Sequence, residues 1–466
     1  MKSRIKFNPH TITYFILVVI GIILSFSTRY IVFKMLLNKS FEANTLLCLE
    51  PTGYVNEAHN IINGGEWFMG IYNGHYQLLT IRPKGYSLLI ALTMAFDPKN
   101  YMDIIRHFRI ICDVIAGILI YLTCNNIFHN RSIALLSLYL WAINPFAIFT
   151  CVQDMPDGFG CFFVSIFIFL YYHTYHKHMI KYILLGFSCA ISVLFRSEYL
   201  LIIIVIFISD FILQQDIKKH LFHWFVSSIT FLLVLSPWMI YSYIKLGHPL
   251  MASTSAWGSA YMAIGEKENN AVQVSYGDSF VDWYARENGI DGAYVYEGNV
   301  FYKQLFLNYL KNHPLEYAEL VFKYRVPRAF VPGINISFNL NRHLNNELFI
   351  DYCAVFPRGT LKRSVCTQLQ SQAAHFEKTT SRYLSLILLL TMLIFILKVV
   401  KTKKIKSVIF LLLLYFYFPV VICLLKQVEY RNVMPSQVCL HITFSYISYS
   451  LIYFFSTKIR KIKNVN

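Results

Sequence analysis

Ten apolar runs, most of them bordered by short basic clusters, constrain this chain more than any other feature. They lie at about 11–33, 104–128, 132–151, 159–172, 179–195, 199–213, 221–243, 383–400, 408–425 and 433–455. Several reach the roughly 17–25 residues that a helix needs to cross a bilayer. In hydrocarbon each backbone N–H and C=O must be paired within its own segment, so such runs fold as helices. Only 14% of the 466 residues are charged, where a soluble domain carries roughly a quarter. The expected fold class is an all-α polytopic membrane protein with a bundle of about ten transmembrane helices.

The basic residues orient these spans. One apolar stretch, 86–96, is only 11 residues long, too short to cross unaided. If it lies along the interface, the clusters at 1–6, 129–131, 176–181, 216–220, 401–406 and 458–463 fall on one side. If it spans, the last five move away from the first. The positive-inside bias selects the interfacial reading and places both termini in the cytoplasm. The same bias explains the net charge of +17, so no nucleic-acid partner is expected. The first apolar run is too long for a signal-peptide core and lacks a small-residue cleavage site, which reads as a retained anchor.

Every acidic or mixed-charge motif next to a span then shares the external face. The expected units are an N-terminal transmembrane module at 1–243, with a first external loop at 34–103, a large mixed extracytoplasmic loop at 244–382, and C-terminal transmembrane helices at 383–466. The first loop opens with Glu50 four residues before Tyr54, continues as a helix-like segment that stops at Gly64-Gly65, and closes on Arg82-Pro83-Lys84-Gly85-Tyr86. Asp154 and Asp157 lie just past the third span, Arg196 and Glu198 between the fifth and sixth, and Arg431 before the tenth.

Acids beside spans cost free energy unless paired or facing water, which makes them functional candidates. A carboxylate can serve as general base, and a second can hold a divalent ion or position an acceptor. Arg suits bidentate phosphate binding and Lys acts as a point charge. The plainer readings are solvated loop acids, a helix cap at Asp157, and cations that snorkel to lipid headgroups. Arg109 and Asp113, four apart, are placed to pair on one helix face. The histidines include no HExxH pair, and no Walker loop, GxSxG or dinucleotide fingerprint is present. Cys353 and Cys366 share the large loop and could form a disulfide in an oxidising compartment.

The order of these elements resembles the GT-C class of polytopic glycosyltransferases, in particular bacterial relatives of the protein O-mannosyltransferases and of the aminoarabinose lipid A transferase. The resemblance rests on Glu50-Pro-Thr-Gly-Tyr54, Ala58, Gly64-Gly65 and Arg82-Pro83-Lys84-Gly85-Tyr86, then Asp154-Met-Pro-Asp157 and Leu194-Phe-Arg196-Ser-Glu198. Ser236-Pro237-Trp238, Gly247-His-Pro, Ser253-Thr254, His313-Pro314-Leu315 and Tyr430-Arg431-Asn-Val-Met-Pro435 extend it along nearly the whole chain. It implies an inverting transferase in a bacterial inner (plasma) membrane. A polyprenyl-phosphate-linked sugar would be the donor, and a lipid, glycan or protein the extracytoplasmic acceptor.

Carried over residue by residue, the resemblance makes Glu50 the catalytic base and Arg82, Lys84 and Arg431 the donor-phosphate ligands. Asp154 and Asp157 would orient the acceptor or hold a divalent metal ion, with Tyr54, Arg196 and Glu198 in support. Trp257, Trp283, Tyr284, Tyr294 and Tyr296 in the large loop could cover the site or form the loop's own core. Two positions depart from the family pattern: Glu50 stands where Asp is usual, and Lys84 replaces the second proline of the turn. Two other readings stay open, a lipid-linked sugar flippase and a catalytically inactive membrane scaffold.

Overall fold

The computed structural model describes residues 9–42, 51–65, 67, 69–72, 75–78, 82–152, 154–173, 178–213, 216–331, 368–426 and 430–463. Helices fall over all ten expected spans. They are α1 (Pro9–Glu42), α4 (Tyr101–Phe128), α5 (Arg131–Ala142) with α6 (Pro145–Val152), α7 (Gly160–Tyr172), α8 (His178–Phe195), α9 (Ile202–Leu213), α10 (Ile217–Leu246), α16 (Gln368–Lys401), α17 (Ile409–Leu425) and α19 (Gln437–Lys463). Between them lie α2 (Pro51–Ile62) and α3 (Gly85–Phe96), the loop helices α11 (Ser255–Met262), α12 (Asp278–Glu287), α13 (Tyr296–Asn312), α14 (Pro314–Glu319) and α15 (Val326–Phe330), and the short α18 (Tyr430–Val433).

Six described helices are long and apolar enough to cross a membrane, or seven if α5 and α6, bent by 48°, count as one span. The helices over 159–172, 179–195 and 199–213 are shorter, at 13, 18 and 12 residues. The 12 residues of α3 give about 18 Å at 1.5 Å per residue, well short of the roughly 30 Å hydrocarbon core. This helix packs on α2 and α4.

Local chemistry sets the boundaries. Asn130 accepts from the backbone N–H groups of Ser132 and Ile133 to start α5, and Asp216 does the same from Lys218 and Lys219 for α10. α10 ends at Gly247, whose left-handed φ of 73° suits glycine. The break between α5 and α6 falls at Asn144-Pro145, where the Asn144 side chain accepts from Phe146 N and Ala147 N. In the first loop α2 stops before Gly64, and an antiparallel hairpin, β1 (Met69–Tyr72) and β2 (His75–Leu78), follows, with Met69 opposite Leu78.

Small residues let the helices approach closely. A Cβ on Gly186 of α8 would sit 2.3 Å from Ser227 O of α10, and one on Gly117 of α4 would sit 2.7 Å from the Trp141 ring. Without a hydrophobic drive between helices in lipid, such close contact is a main source of association. The large loop has its own core of Tyr261, Ile264, Val281, Tyr302 and Phe306. Tyr294 belongs to that core, while Trp283 is 54% exposed.

Within the bundle Arg29 of α1 is fully buried. Its Nε donates to Asp113 of α4, and Nη1 and Nη2 donate to Ala142 O and Trp141 O at 3.1 and 3.2 Å. Asp113 therefore pairs across helices, and the expected Arg109–Asp113 pair along one helix does not form. Removing one partner leaves an uncompensated buried charge, at a cost of about 3–5 kcal/mol. Asp113→Leu should therefore sharply lower the yield and melting temperature of detergent-solubilised protein. Arg29→Met combined with Asp113→Leu should recover most of the loss.

Candidate functional site

The first loop contributes α2, the turn at residues 82–84 and the start of α3. Glu50 lies outside the described residues, immediately before Pro51, the first residue of α2. Tyr54 on α2 is buried and meets the edge of Tyr86 at 5.1 Å. The Arg82 guanidinium lies over the Tyr54 ring, 4.9 Å from its centroid. Gly53 leaves it room, since a Cβ there would fall 2.3 Å from Arg82 Nη1.

Lys84 is fully buried, with its Nζ 2.7 Å from Glu57 Oε1, and Ser87 Oγ donates to Glu57 Oε2 at 2.6 Å. Burial lowers the Lys84 pKa, and the Glu57 carboxylate opposes this only in part. Glu57 was not among the candidates read from the sequence. Its signal was its place three residues after Tyr54, which puts both on one face of α2. The turn fits tightly beneath α8, because a Cβ on Gly85 would sit 2.6 Å from Leu194 O.

The turn after α6 carries Asp154 and Asp157. Asp154 is fully buried and held by two guanidinium groups of α4. Arg106 Nη2 donates to Oδ2 at 2.7 Å, and Arg109 Nη2 donates to Oδ1 at 2.6 Å. Arg106 also reaches Asp103 Oδ1 at 2.8 Å. Burial raises the Asp154 pKa, but Arg109 and Arg106 outweigh it and hold the carboxyl below its ordinary value.

Asp157 lies 5% exposed, its Oδ1 3.2 Å from Arg196 Nη2. Its Oδ2 is buried and makes no hydrogen bond among the described residues. Arg196 Nη2 also reaches Glu198 Oε1 at 3.1 Å and Asn432 Oδ1 at 2.7 Å. Lys426 Nζ lies 2.6 Å from Glu198 Oε1. Burial raises the Glu198 pKa, but Arg196 and Lys426 hold it well below the usual carboxylate range. Arg431 belongs to α18, next to Asn432.

An aromatic chain joins the first loop to this cluster. Tyr86 meets Phe159 at 6.3 Å, Phe159 meets Phe195 at 5.1 Å, and Phe163 meets Phe195 at 5.3 Å and Tyr199 at 5.9 Å. Gly160 completes the contact, since a Cβ there would fall 2.9 Å from both Pro435 Cγ and Tyr199 Oη. The group of Tyr54, Arg82 and Lys84 is thus linked to the turn that carries Asp154 and Asp157 and to Arg196 and Glu198. Cys353 and Cys366 lie outside the described residues.

A divalent ion does not fit at Asp154, because both carboxylate oxygens are taken up by guanidinium donors. Among the described residues no three His, Cys, Asp or Glu side chains are placed to hold a metal.

Residues 82–241 match the family described as dolichyl-phosphate-mannose-protein mannosyltransferase. The fold is similar to the archaeal oligosaccharyltransferase AglB from Archaeoglobus fulgidus, solved with an inhibitory peptide and a dolichol-phosphate. That match has a TM-score of 0.52 and 12% identity, and it covers 97% of this chain and 52% of that one. The apo form of the Archaeoglobus fulgidus oligosaccharyltransferase matches with a TM-score of 0.50 and 13% identity, over 96% of this chain and 52% of that one. The chain thus spans about half the length of these solved structures. No curated protein matches the chain by sequence. The family match and the fold bear out the resemblance to the GT-C class, and the chain is an integral membrane protein with a GT-C type fold.

The two depressed carboxyl groups set an acid limit. Their stabilisation is complete above the ordinary carboxylate pKa of about 4 and is lost as pH falls through the lower folded values. The melting temperature should therefore drop steeply below about pH 4. Asp154→Asn should lower it at pH 7 and flatten the acid slope, as thermal unfolding in detergent across pH 2–7 would read.

Proposed function

We propose that this chain is an inverting membrane glycosyltransferase that moves a sugar from a polyprenyl-phosphate donor to a lipid, glycan or protein acceptor. The observation that carries the reading is the joining of the Arg82–Lys84 turn to the Asp157–Arg196–Glu198 cluster through Tyr86, Phe159 and Phe195. The cationic turn is thereby linked to an acid, Asp157, whose Oδ2 makes no hydrogen bond among the described residues. A donor arriving within the bilayer would meet both. The dolichol-phosphate in the AglB structure supports a lipid phosphate as the donor's leaving group.

In this reading Glu50 takes the proton of the acceptor nucleophile as it attacks the anomeric carbon from the face opposite the phosphate. The C–O bond to the phosphate breaks as the new glycosidic bond forms. Arg82, with Arg431, stabilises the charge that develops on the leaving phosphate. Lys84, partnered by Glu57, sets the floor beneath it. Asp157 orients the acceptor through Oδ2, while Asp154 acts by fixing the turn. Arg196 and Glu198 hold Asp157 and α18 in register. The basic clusters favour an extracytoplasmic site, cytoplasmic termini, and the units 1–243, 244–382 and 383–466.

Replacing a general base typically costs about 10²–10⁴-fold in rate. Glu50→Gln should lose that much polyprenyl-phosphate-sugar consumption in proteoliposomes while keeping wild-type expression. Full turnover by the variant removes Glu50 as the base. A wild type that consumes no donor across several sugars, yet moves labelled donor between leaflets, would mark a flippase. With neither, it would be a scaffold. Separately, a topology reporter fused near residue 100 should read extracytoplasmic, opposite to reporters at either terminus.

A further inference from the structure

The large loop contains a segment whose packing partners descend a membrane span. Tyr317 Oη donates to Leu424 O, and Arg325 Nη1 donates to Cys423 O at 3.1 Å, both at the last turn of α17. Val321 and Ala329 are buried against Ile422 and Cys423. Phe330 packs on Tyr415 and Phe416, each at 6.1 Å. Residue 415 lies ten positions before the end of α17, or about 15 Å along its axis. The segment 314–331 therefore packs on the end of α17, and its last residues reach back along that helix as far as Tyr415.

Its outer face carries two large exposed apolar side chains beside the exposed Lys323 and Arg328. Leu315 is 85% exposed and Phe322, two helical turns on, is 72% exposed. The span on which the segment packs is exposed as well, with Val420 and Leu424 of α17 at 46% and 44%. Charges beside them would be costly in hydrocarbon unless paired, and they are paired. Arg325 Nε and Arg328 Nη1 both reach Glu266, at 2.8 and 3.1 Å, and Lys323 Nζ lies 3.2 Å from Glu319 Oε1. Lys323 has the long stem that lets an ammonium group snorkel to headgroups.

We propose that residues 314–331 are a membrane-embedded arm of the large loop, with the Leu315–Phe322 face seated in the bilayer beside α17. Phospholipid is the partner, because the segment packs on a candidate membrane span as far back as Tyr415 while presenting Leu315 and Phe322 outward. Glu266, which belongs to the loop's folded lobe, then ties that lobe to the arm through two guanidinium groups. The inference is independent of the transferase reading.

The test uses the full chain in vesicles whose phospholipids carry bromine at mid-chain, which quenches tryptophan on contact. The emission added by Phe322→Trp over wild type should be largely lost in brominated vesicles. That added by Leu307→Trp, on α13 of the lobe, should be kept. Leu315→Trp provides a second probe if the first variant folds poorly. If aqueous iodide instead of bromolipid quenches the emission added by Phe322→Trp, the face lies in water and the proposal is overturned. Protection from both quenchers would place it against a second protein surface, and would overturn it equally.

Discussion

Two arginines on one helix hold one buried carboxylate, and the site's geometry depends on that clamp. Arg106 and Arg109 stand one turn apart on α4 and between them occupy both oxygens of Asp154. The charge balance is +1 before Asp103 is counted, and Asp103 brings it to zero through Arg106. A carboxylate removed from water without such donors would be protonated. With them it becomes a rigid peg for the turn between α6 and α7. Asp157 is on that turn, so the clamp, together with the Phe108–Phe159 contact and the Arg196 pair, sets its position. Gly158 packs against the same arginine, its Cβ position 3.1 Å from Arg109 Cδ.

Lys84 shows how a departure from a family pattern is absorbed. A lysine in place of a proline adds a charge where the chain is fully buried. The nearby acid, Glu57, is on a different element and brings Ser87 with it. Truncating one member of such a set strands the others, so the group is coupled and its parts are not additive. Arg82, the other cation of this turn, is held differently, with its guanidinium over the Tyr54 ring.

Much of this was legible in the sequence. Apolar runs place the helices because hydrocarbon leaves the backbone no alternative, and Gly64-Gly65 marks the end of α2 because one glycine takes a left-handed φ. The basic clusters put Lys84, Asp157 and Arg196 on one expected face, and the structure links the turn at 82–84 to the Asp157–Arg196 pair through Tyr86, Phe159 and Phe195. Pairing partners were much less legible. Arg109 and Asp113 have ideal spacing for a helical pair, yet tertiary neighbours of better geometry claim each of them. Arg106 and Arg29 read as ordinary cations near or within spans, and nothing local marks them as buried. Glu57 looks like the solvated face of an amphipathic helix. Such partnerships depend on which helices meet, which one-dimensional spacing does not encode.

The Arg29–Asp113 pair bears on how the chain is made. Arg29 sits within the first span, and its carboxylate partner lies 84 residues further on. The carbonyls it also needs, at Trp141 and Ala142, come later still. More than a hundred residues must therefore follow this guanidinium out of the ribosome before it finds its final neighbours. Until then α1 carries an unpaired charge that is costly in hydrocarbon. Burial of this guanidinium therefore waits on α4 and α5, which couples the packing of the first helix to theirs.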